Sequence, residues 1–416
     1  MSMKNAVTVS LVYGYSARNA GDFAITLGAL DLLLSLGVKV KLFSRYMRAN
    51  KDFHESSEEL RKRYGNKIEI YESPFRLDRT DGKFKTIRCY ADGILTILGI
   101  RPKREFRRAL LDCNFVIFNG GNLFRCNSFI DFTRLLALMY PLNIARRHNK
   151  DIIVFPQSAS TINRLGQRIL SPILTKSALL MLREKDSFDY LSSLMPPKNF
   201  YQTIDLAFFI DKANLPSPLV KEQHSIGITL RFHTVGDISY LPEDLIKEYL
   251  SELGEAVEEL KNTHNVVIIV QCDKDYEKSM SFAAKHQIQI KKTNNVLELL
   301  ATYKKMDLLI GMRLHSIILA LSVGTPCFGL FCKQWGLKNP GMMKTFDMPY
   351  RFCDDHLNSE DILSAIRPLL DNRKVKSDHI LQLIEQEKSN IVGEMRLVMT
   401  PIATLHNGDS PVTHQR

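Results

Sequence analysis

After residue 224 the chain alternates strand-length apolar runs with helix-length amphipathic ones. Strands are expected at 225–230, 266–272, 288–291, 308–311 and 327–331, and helices at 242–262, 276–285, 296–305 and 314–323. Apolar runs of four to seven residues separated by ten-residue helices bury both faces of each strand, which only a parallel sheet covered by helices achieves. The same alternation opens the chain. A strand over 7–14 leads through a polar loop (15–22) into a helix over 23–36 and a strand over 38–43, and further strands are expected at 115–118 and 152–155 with a helix over 134–147. Residues 211–223 carry two prolines and no periodicity, the composition of a linker. The α/β fold class expected is therefore two Rossmann-like domains with parallel sheets facing a cleft. Residues 1–210 form the first domain, 211–223 the linker, 224–375 the second domain, 376–399 a C-terminal helix and 400–416 a disordered tail. A length of 416 residues fits two cores better than one.

Seven cysteines, odd in number and without a C-x-x-C pair or histidines at zinc-finger spacing, predict reduced thiols and no metal. The first ten residues lack the basic head and apolar stretch of a secretion signal, which points to the cytoplasm. The apolar run 308–330 is long enough to span a membrane, but Arg313, His315 and the Gly324-Thr325-Pro326 break divide it into strand, helix and strand. A net charge of +11 predicts an anionic partner. Neither nucleic acid nor a cofactor is expected. The excess is densest over 76–108, where ten basic residues accompany four acidic ones around Ile94, Leu95, Ile97, Leu98 and Ile100. That composition suits a surface resting on anionic lipid at the inner face of the membrane; the plainer reading is a basic loop over a helix buried in the first domain.

In open parallel sheets ligands bind at the carboxyl ends of the strands, so the loops after strands carry the candidate residues. The first, from Gly14 to Asp22, matches neither G-x-G-x-x-G nor a P-loop. Gly21 is read as its turn and Asp22 as a helix cap, and Asn19 and Asp22 also stand where they can touch a ligand. In the second, Gly120 and Gly121 either let a backbone approach a ligand or make a tight turn. The third, after 308–311, holds Arg313 and His315 at a helix start, where a cation is unfavourable unless an anion meets it. Arg313 is therefore aimed at a carboxylate or phosphate, the alternative being a structural acid. His315 is the candidate general acid or base, with His233 next in line. Arg231, at the end of the strand over 225–230, and Lys333 add positive charge to the same cleft. Asp273 and Asp275 form a D-x-D too short to claim a site, and Arg183-Glu184 reads as the lead into a capped helix.

Together the segments Gly14-Tyr15-Ser16-Ala17-Arg18-Asn19-Ala20-Gly21-Asp22, Phe118-Asn119-Gly120-Gly121, Phe155-Pro156-Gln157-Ser158 and Arg313-Leu314-His315, the last followed by Gly324-Thr325-Pro326, resemble the polysaccharide pyruvyl transferase family. Phe23 departs from a commonly acidic position and Asn122 from a third glycine, departures that bear on the acceptor more than on the fold. The resemblance implies a GT-B-like architecture. It also implies transfer of a pyruvyl group from phosphoenolpyruvate, as donor substrate, to hydroxyls of a sugar or lipid-linked oligosaccharide acceptor, forming a ketal. The second domain would hold the donor and the first the acceptor. Two other readings stay open: a glycosyltransferase of the same fold using a nucleotide sugar, and a non-catalytic polysaccharide-assembly protein.

Overall fold

The computed structural model describes residues 7–75, 92–97, 99–101, 103–196, 198–213, 215, 224–234, 239–336 and 338–400. Two parallel sheets organise them. The first contains β1 (Thr8–Gly14), β2 (Lys39–Ser44), β3 (Ile68–Tyr71), β4 (Phe115–Phe118), β6 (Asp151–Ile162), β7 (Leu179–Leu182) and β8 (Phe200–Gln202) in the order β3-β2-β1-β4-β6-β7-β8, and β5 (Gly121–Cys126) pairs with the far end of β6. The second contains β9 (Ser225–Thr229), β10 (Asn265–Val270), β11 (Gln289–Lys292), β12 (Leu308–Gly311), β13 (Cys327–Phe331) and β14 (Tyr350–Phe352) in the order β11-β10-β9-β12-β13-β14. Each sheet reverses its winding once, between β1 and β4 in the first and between β9 and β12 in the second. Those switch points are where neighbouring loops part and leave a crevice.

Strands buried along almost their whole length, such as β4 and β12, are apolar throughout because helices cover both faces. Helix α1 (Ala20–Ser35) is apolar around its circumference for a related reason. It lies on the first sheet and also packs against α9 (Val296–Lys305) and α10 (Leu314–Ser322) of the second half. The last helix, here α13 (Arg373–Met399), buries Ile380, Ile384, Ile391, Met395 and Met399. It contacts α10, and its Lys388 lies over Phe209 of the first half, so the chain end straps the two halves together. Among the described residues no helix is long and apolar enough to cross a membrane.

Three local features depart from the sequence expectations. Asn19, not Asp22, caps α1: its side chain accepts from the Asp22 N–H and donates to the Asp22 carboxylate. Residues 121–126, to which the sequence assigned no strand, form β5, because Gly121 swings the chain alongside the extended second half of β6. Tyr13 adopts a φ of 73° at a register slip in β1, a left-handed conformation costing about 1–2 kcal/mol for a residue with a Cβ. The bulge is held by the Tyr13 hydroxyl donating to the Ala137 carbonyl at 2.8 Å. Of the expected linker only 211–213 and 215 fall within the described residues, and of the expected tail only Thr400. Much of the basic stretch, 76–91 together with 98 and 102, also lies outside them. In its described part Ile94 and Ile100 are exposed, while Leu95 and Ile97 are half-buried.

Candidate active site between the two sheets

The loops after β1, β4, β9 and β12 converge at the two switch points, and two helix N-termini meet there. Helix α1 brings Asn19, Gly21 and Asp22; α10 brings Arg313 and His315. A β-carbon placed on Gly21 would lie 2.5 Å from Nδ1 of His315, so the glycine exists to let the imidazole rest on the helix backbone. Two positive helix ends facing one space favour an anion between them. The contact also makes a prediction. Gly21→Ala is favourable for an isolated helix by roughly 1 kcal/mol, yet it must push His315 aside, and a displacement near 1 Å costs about 10²-fold in rate. Turnover by Gly21→Ala should fall by that order, and the unfolding midpoint should fall as well, by the equivalent of about 1–3 kcal/mol, because the added methyl also meets the His315 Cβ at 2.8 Å; an active variant would detach His315 from the chemistry.

His315 is half-buried, and its Nε2 is enclosed without a hydrogen-bond partner. Burial lowers its pKa; Asp205 and Asp22 oppose that shift, and Arg183 and Lys338 reinforce it. The ring is thus neutral near pH 7 and can accept a proton.

Cations surround it. Lys338 opens α11 (Lys338–Thr345) and lies within Coulombic reach of His315, Arg183 and Arg231. Burial, with repulsion from Arg183 and Arg231, pushes its pKa down from 10.5 to about 8. Arg231 follows β9 and lays its guanidinium over the Trp335 ring at 4.6 Å, while its Nη2 donates to the Thr234 carbonyl. Arg313, aimed from the sequence at a ligand anion, has a protein partner: Nε and Nη2 both approach Oδ2 of Asp275 at 2.5 Å. Buried Asp275 also accepts from the Phe232 N–H and lies 3.3 Å from Nδ1 of His233, whose carbonyl accepts from Trp335 Nε1. One carboxylate therefore fixes Arg313, His233 and the end of β9 relative to one another. His233 lies in this supporting layer, 5% exposed and against the Tyr240 ring.

From the first domain comes a buried charged network. Arg183, at the end of β7, pairs through Nη1 with Asp205 at 2.5 Å and through Nε with the Ser158 hydroxyl at 2.9 Å. Glu184 occupies the N-cap position of α6 (Lys185–Leu194) without capping it; its carboxylate instead accepts from the Ser158 and Ser187 hydroxyls. The sequence reading of Arg183-Glu184 as a helix lead missed this. A charged pair directly after an all-apolar strand was the available signal, since such residues face the strand-end crevice. Asp205 and Lys338 were missed as well: Asp205 precedes a 3-10 turn with no periodicity, and Lys338 begins a helix that the alternation did not predict.

Other expected residues lie elsewhere. Lys333 is exposed and pairs with Asp355, outside the group around His315. Gly120 and Gly121 receive Tyr15: its hydroxyl donates to the Gly120 carbonyl at 2.8 Å, and a β-carbon on Gly121, where φ is 142°, would meet that oxygen at 2.3 Å. Asn19 is exposed at the cleft edge beside Asp22. Asp273 pairs with Lys292 at 2.7 Å. No cluster of three His, Cys, Asp or Glu side chains suited to a metal occurs among the described residues.

The family model for polysaccharide pyruvyl transferase matches residues 19–330, three quarters of the chain and every candidate above except Lys333 and Lys338. The chain belongs to the polysaccharide pyruvyl transferase family. No curated protein matches the sequence at a comparable level. Among solved structures this pyruvyl transferase family member is similar to a UDP-N-acetylglucosamine 2-epimerase (TM-score 0.60, 12% identity, 100% of both chains covered). It is also similar to a UDP-GlcNAc 2-epimerase from Neisseria meningitidis bound to UDP-GlcNAc (0.56, 13%, 94% of this chain and 99% of that one) and a glycosyltransferase from Rickettsia africae (0.54, 13%, 97% and 100%). At such identities the likeness is one of fold, and that fold is the GT-B-like pair of parallel sheets.

Proposed function

We propose that this protein transfers the pyruvyl group of phosphoenolpyruvate to two hydroxyls of a sugar, free in a polysaccharide or carried on its lipid-linked precursor, as a ketal. The observation that carries the reading is the placement of a neutral, unpartnered histidine beside Lys338, between two helix N-termini. Phosphoenolpyruvate presents a carboxylate and a phosphate, which guanidinium and ammonium groups recognise. Arg231, Arg313 and Lys338 supply the charge, with Asp275 and Trp335 holding the two arginines in place. Asn19 and Asp22 face the acceptor from the first domain.

In the reaction the methylene carbon of the donor gains a proton and becomes a methyl group, one sugar oxygen bonds to the ketal carbon, phosphate leaves, and a second oxygen closes the ring. The two hydroxyl protons balance the methyl group and the departing phosphate. Neutral His315 takes the first hydroxyl proton, and the imidazolium it becomes is the acid that protonates the methylene carbon. Incubation with phosphoenolpyruvate and a panel of galactosides and mannosides should give a pyruvyl adduct by mass spectrometry with one inorganic phosphate released per adduct; phosphate release without an adduct would refute transfer.

Lys338 gives the donor site a pH signature. Below about pH 8 the ammonium is charged and attracts the donor; above it the lysine loses its proton. Donor affinity should fall as pH rises through about 8, and Lys338→Met should abolish that fall. The unfolded chain keeps this lysine protonated to about 10.5, so it binds more protons than the folded state between about 8 and 10.5. This group's contribution to stability therefore rises across that window while donor affinity falls, and the opposite signs separate the two effects in one titration series.

A further inference from the structure

A second cationic cluster lies within Coulombic reach of Tyr15, and pyruvyl transfer at His315 makes no use of it. Arg45 follows β2, Arg125 lies in β5, and Arg134 stands in the second turn of α4 (Phe129–Arg147). Arg134 is half-buried, and its Nε is enclosed without a hydrogen-bond partner. Among the described residues neither Arg45 nor Arg134 has a carboxylate partner. Arg125 has only Asp131, at 3.1 Å, and that carboxylate also receives the Asn127 N–H. Burial, Arg45 and Arg125 together pull the pKa of Arg134 down from 12.5 to about 10, although Tyr15 and the Asp131 carboxylate oppose the shift. Guanidiniums are rarely desolvated beside one another without an anion to share.

Tyr15 joins this cluster to the site already described. Its phenol feels Asp22 and Arg183, which also act on His315, together with Arg45 and Arg134 of the cluster, and its hydroxyl is fixed on Gly120. Beside Arg125 and Arg134, at the start of α4, Phe129 and Ile130 are 78% and 69% exposed. Leu165, 49% exposed, opens the neighbouring helix α5 (Arg164–Leu174), which packs closely on Cys126 at the end of β5. Two large apolar side chains in sequence and in solvent, next to under-neutralised arginines, match an amphiphile with an anionic head.

We propose that Arg45, Arg125 and Arg134 bind the diphosphate of the acceptor substrate, and that Phe129 and Ile130 form an apolar lip for a lipid chain attached to it. Assignment to the acceptor rests on the pyruvyl-transfer reading; the anion site itself does not. A diphosphate offers oxygens to several guanidiniums at once, which a single phosphate contact would not require. Held there, the sugar beyond the diphosphate can extend past Tyr15 towards His315.

The test is calorimetric titration of the full chain with inorganic pyrophosphate, farnesyl diphosphate and UDP, each with phosphoenolpyruvate present at saturation to fill the donor site. Wild type should bind pyrophosphate under those conditions, with affinity lowered about tenfold or more in both Arg45→Gln and Arg134→Gln. Both variants should bind phosphoenolpyruvate as wild type does. Arg45 and Arg134 are both half-buried and stand on separate segments, so one variant reports even if the other folds poorly. Farnesyl diphosphate should bind more tightly than UDP, and Phe129→Ser with Ile130→Ser should remove that preference. Absence of pyrophosphate binding, or unchanged affinity in Arg45→Gln, overturns the site. Parallel loss of phosphoenolpyruvate binding in the variants would return the cluster to the donor site and overturn it too, and tighter binding of UDP overturns the lipid assignment. Failure of phosphoenolpyruvate to bind wild type would refute the donor reading while the pyrophosphate result still decided the anion site.

Discussion

Replacing His315 with asparagine is expected to lower turnover by about 10² to 10⁴ while leaving phosphoenolpyruvate affinity within a few-fold of wild type. Asparagine keeps a polar group on the backbone of Gly21 but cannot cycle a proton near neutral pH. Helix dipoles, Arg231, Arg313 and Lys338 are untouched, so the donor still binds. The buried, partnerless Nε2 makes the expectation specific, since a histidine with a structural task would have that nitrogen hydrogen-bonded. Single-turnover kinetics with saturating donor measure the effect. Near wild-type turnover would mean that the proton moves through another group, and a large loss of donor affinity would make His315 a binding residue.

The second large effect concerns stability. Asp205→Ala removes the partner of Arg183 in a setting where both side chains are at most 2% exposed. Breaking a buried pair from one side costs about 3–5 kcal/mol, because the remaining charge stays desolvated. Glu184, 3.7 Å from Arg183, tempers the loss only in part. Asp205 also caps the 3-10 turn Leu206–Phe209 by accepting from the Ala207 N–H at 2.8 Å, and that turn packs against α1. Asp205→Asn can keep the cap and lose the charge, so it should retain about 1 kcal/mol more than alanine. Midpoints of urea unfolding for the two variants measure both contributions; a midpoint for Asp205→Ala indistinguishable from wild type would show that the network carries no stability.

The parallel sheets were legible in the sequence because strands buried on both faces leave unbroken apolar runs, as in 115–118, 308–311 and 327–331. The strand ends flagged by Arg313 and His315 lie at a switch point for the same reason. What the sequence hid depends on contacts between distant segments. Gly21 looked like a turn residue because the imidazole it accommodates is supplied almost three hundred positions later. Glu184 looked like a cap because helix starts favour acids, whereas its actual partners are serines from two different elements. Lys338 outranks Lys333 beside His315 because Gly336 and a new helix turn the chain back towards the first domain; Gly341 there leaves room for Glu184. Arg313 was correctly placed at a helix start, but its acid, Asp275, lies in a D-x-D segment whose role no spacing rule gives away.

The central claim is that the anion between the two helix ends is phosphoenolpyruvate and not a nucleotide sugar. A thermal unfolding series of the wild-type protein at pH 7 tests it, with phosphoenolpyruvate or UDP-N-acetylglucosamine added over three decades of concentration. A ligand that binds only the folded state stabilises it by about 2.7 kcal/mol at a hundredfold excess over its Kd. A rising, concentration-dependent midpoint is expected with phosphoenolpyruvate and none with the nucleotide sugar when Lys338 is charged, with loss of the rise in Lys338→Met. Stabilisation by UDP-N-acetylglucosamine with no response to phosphoenolpyruvate would contradict it.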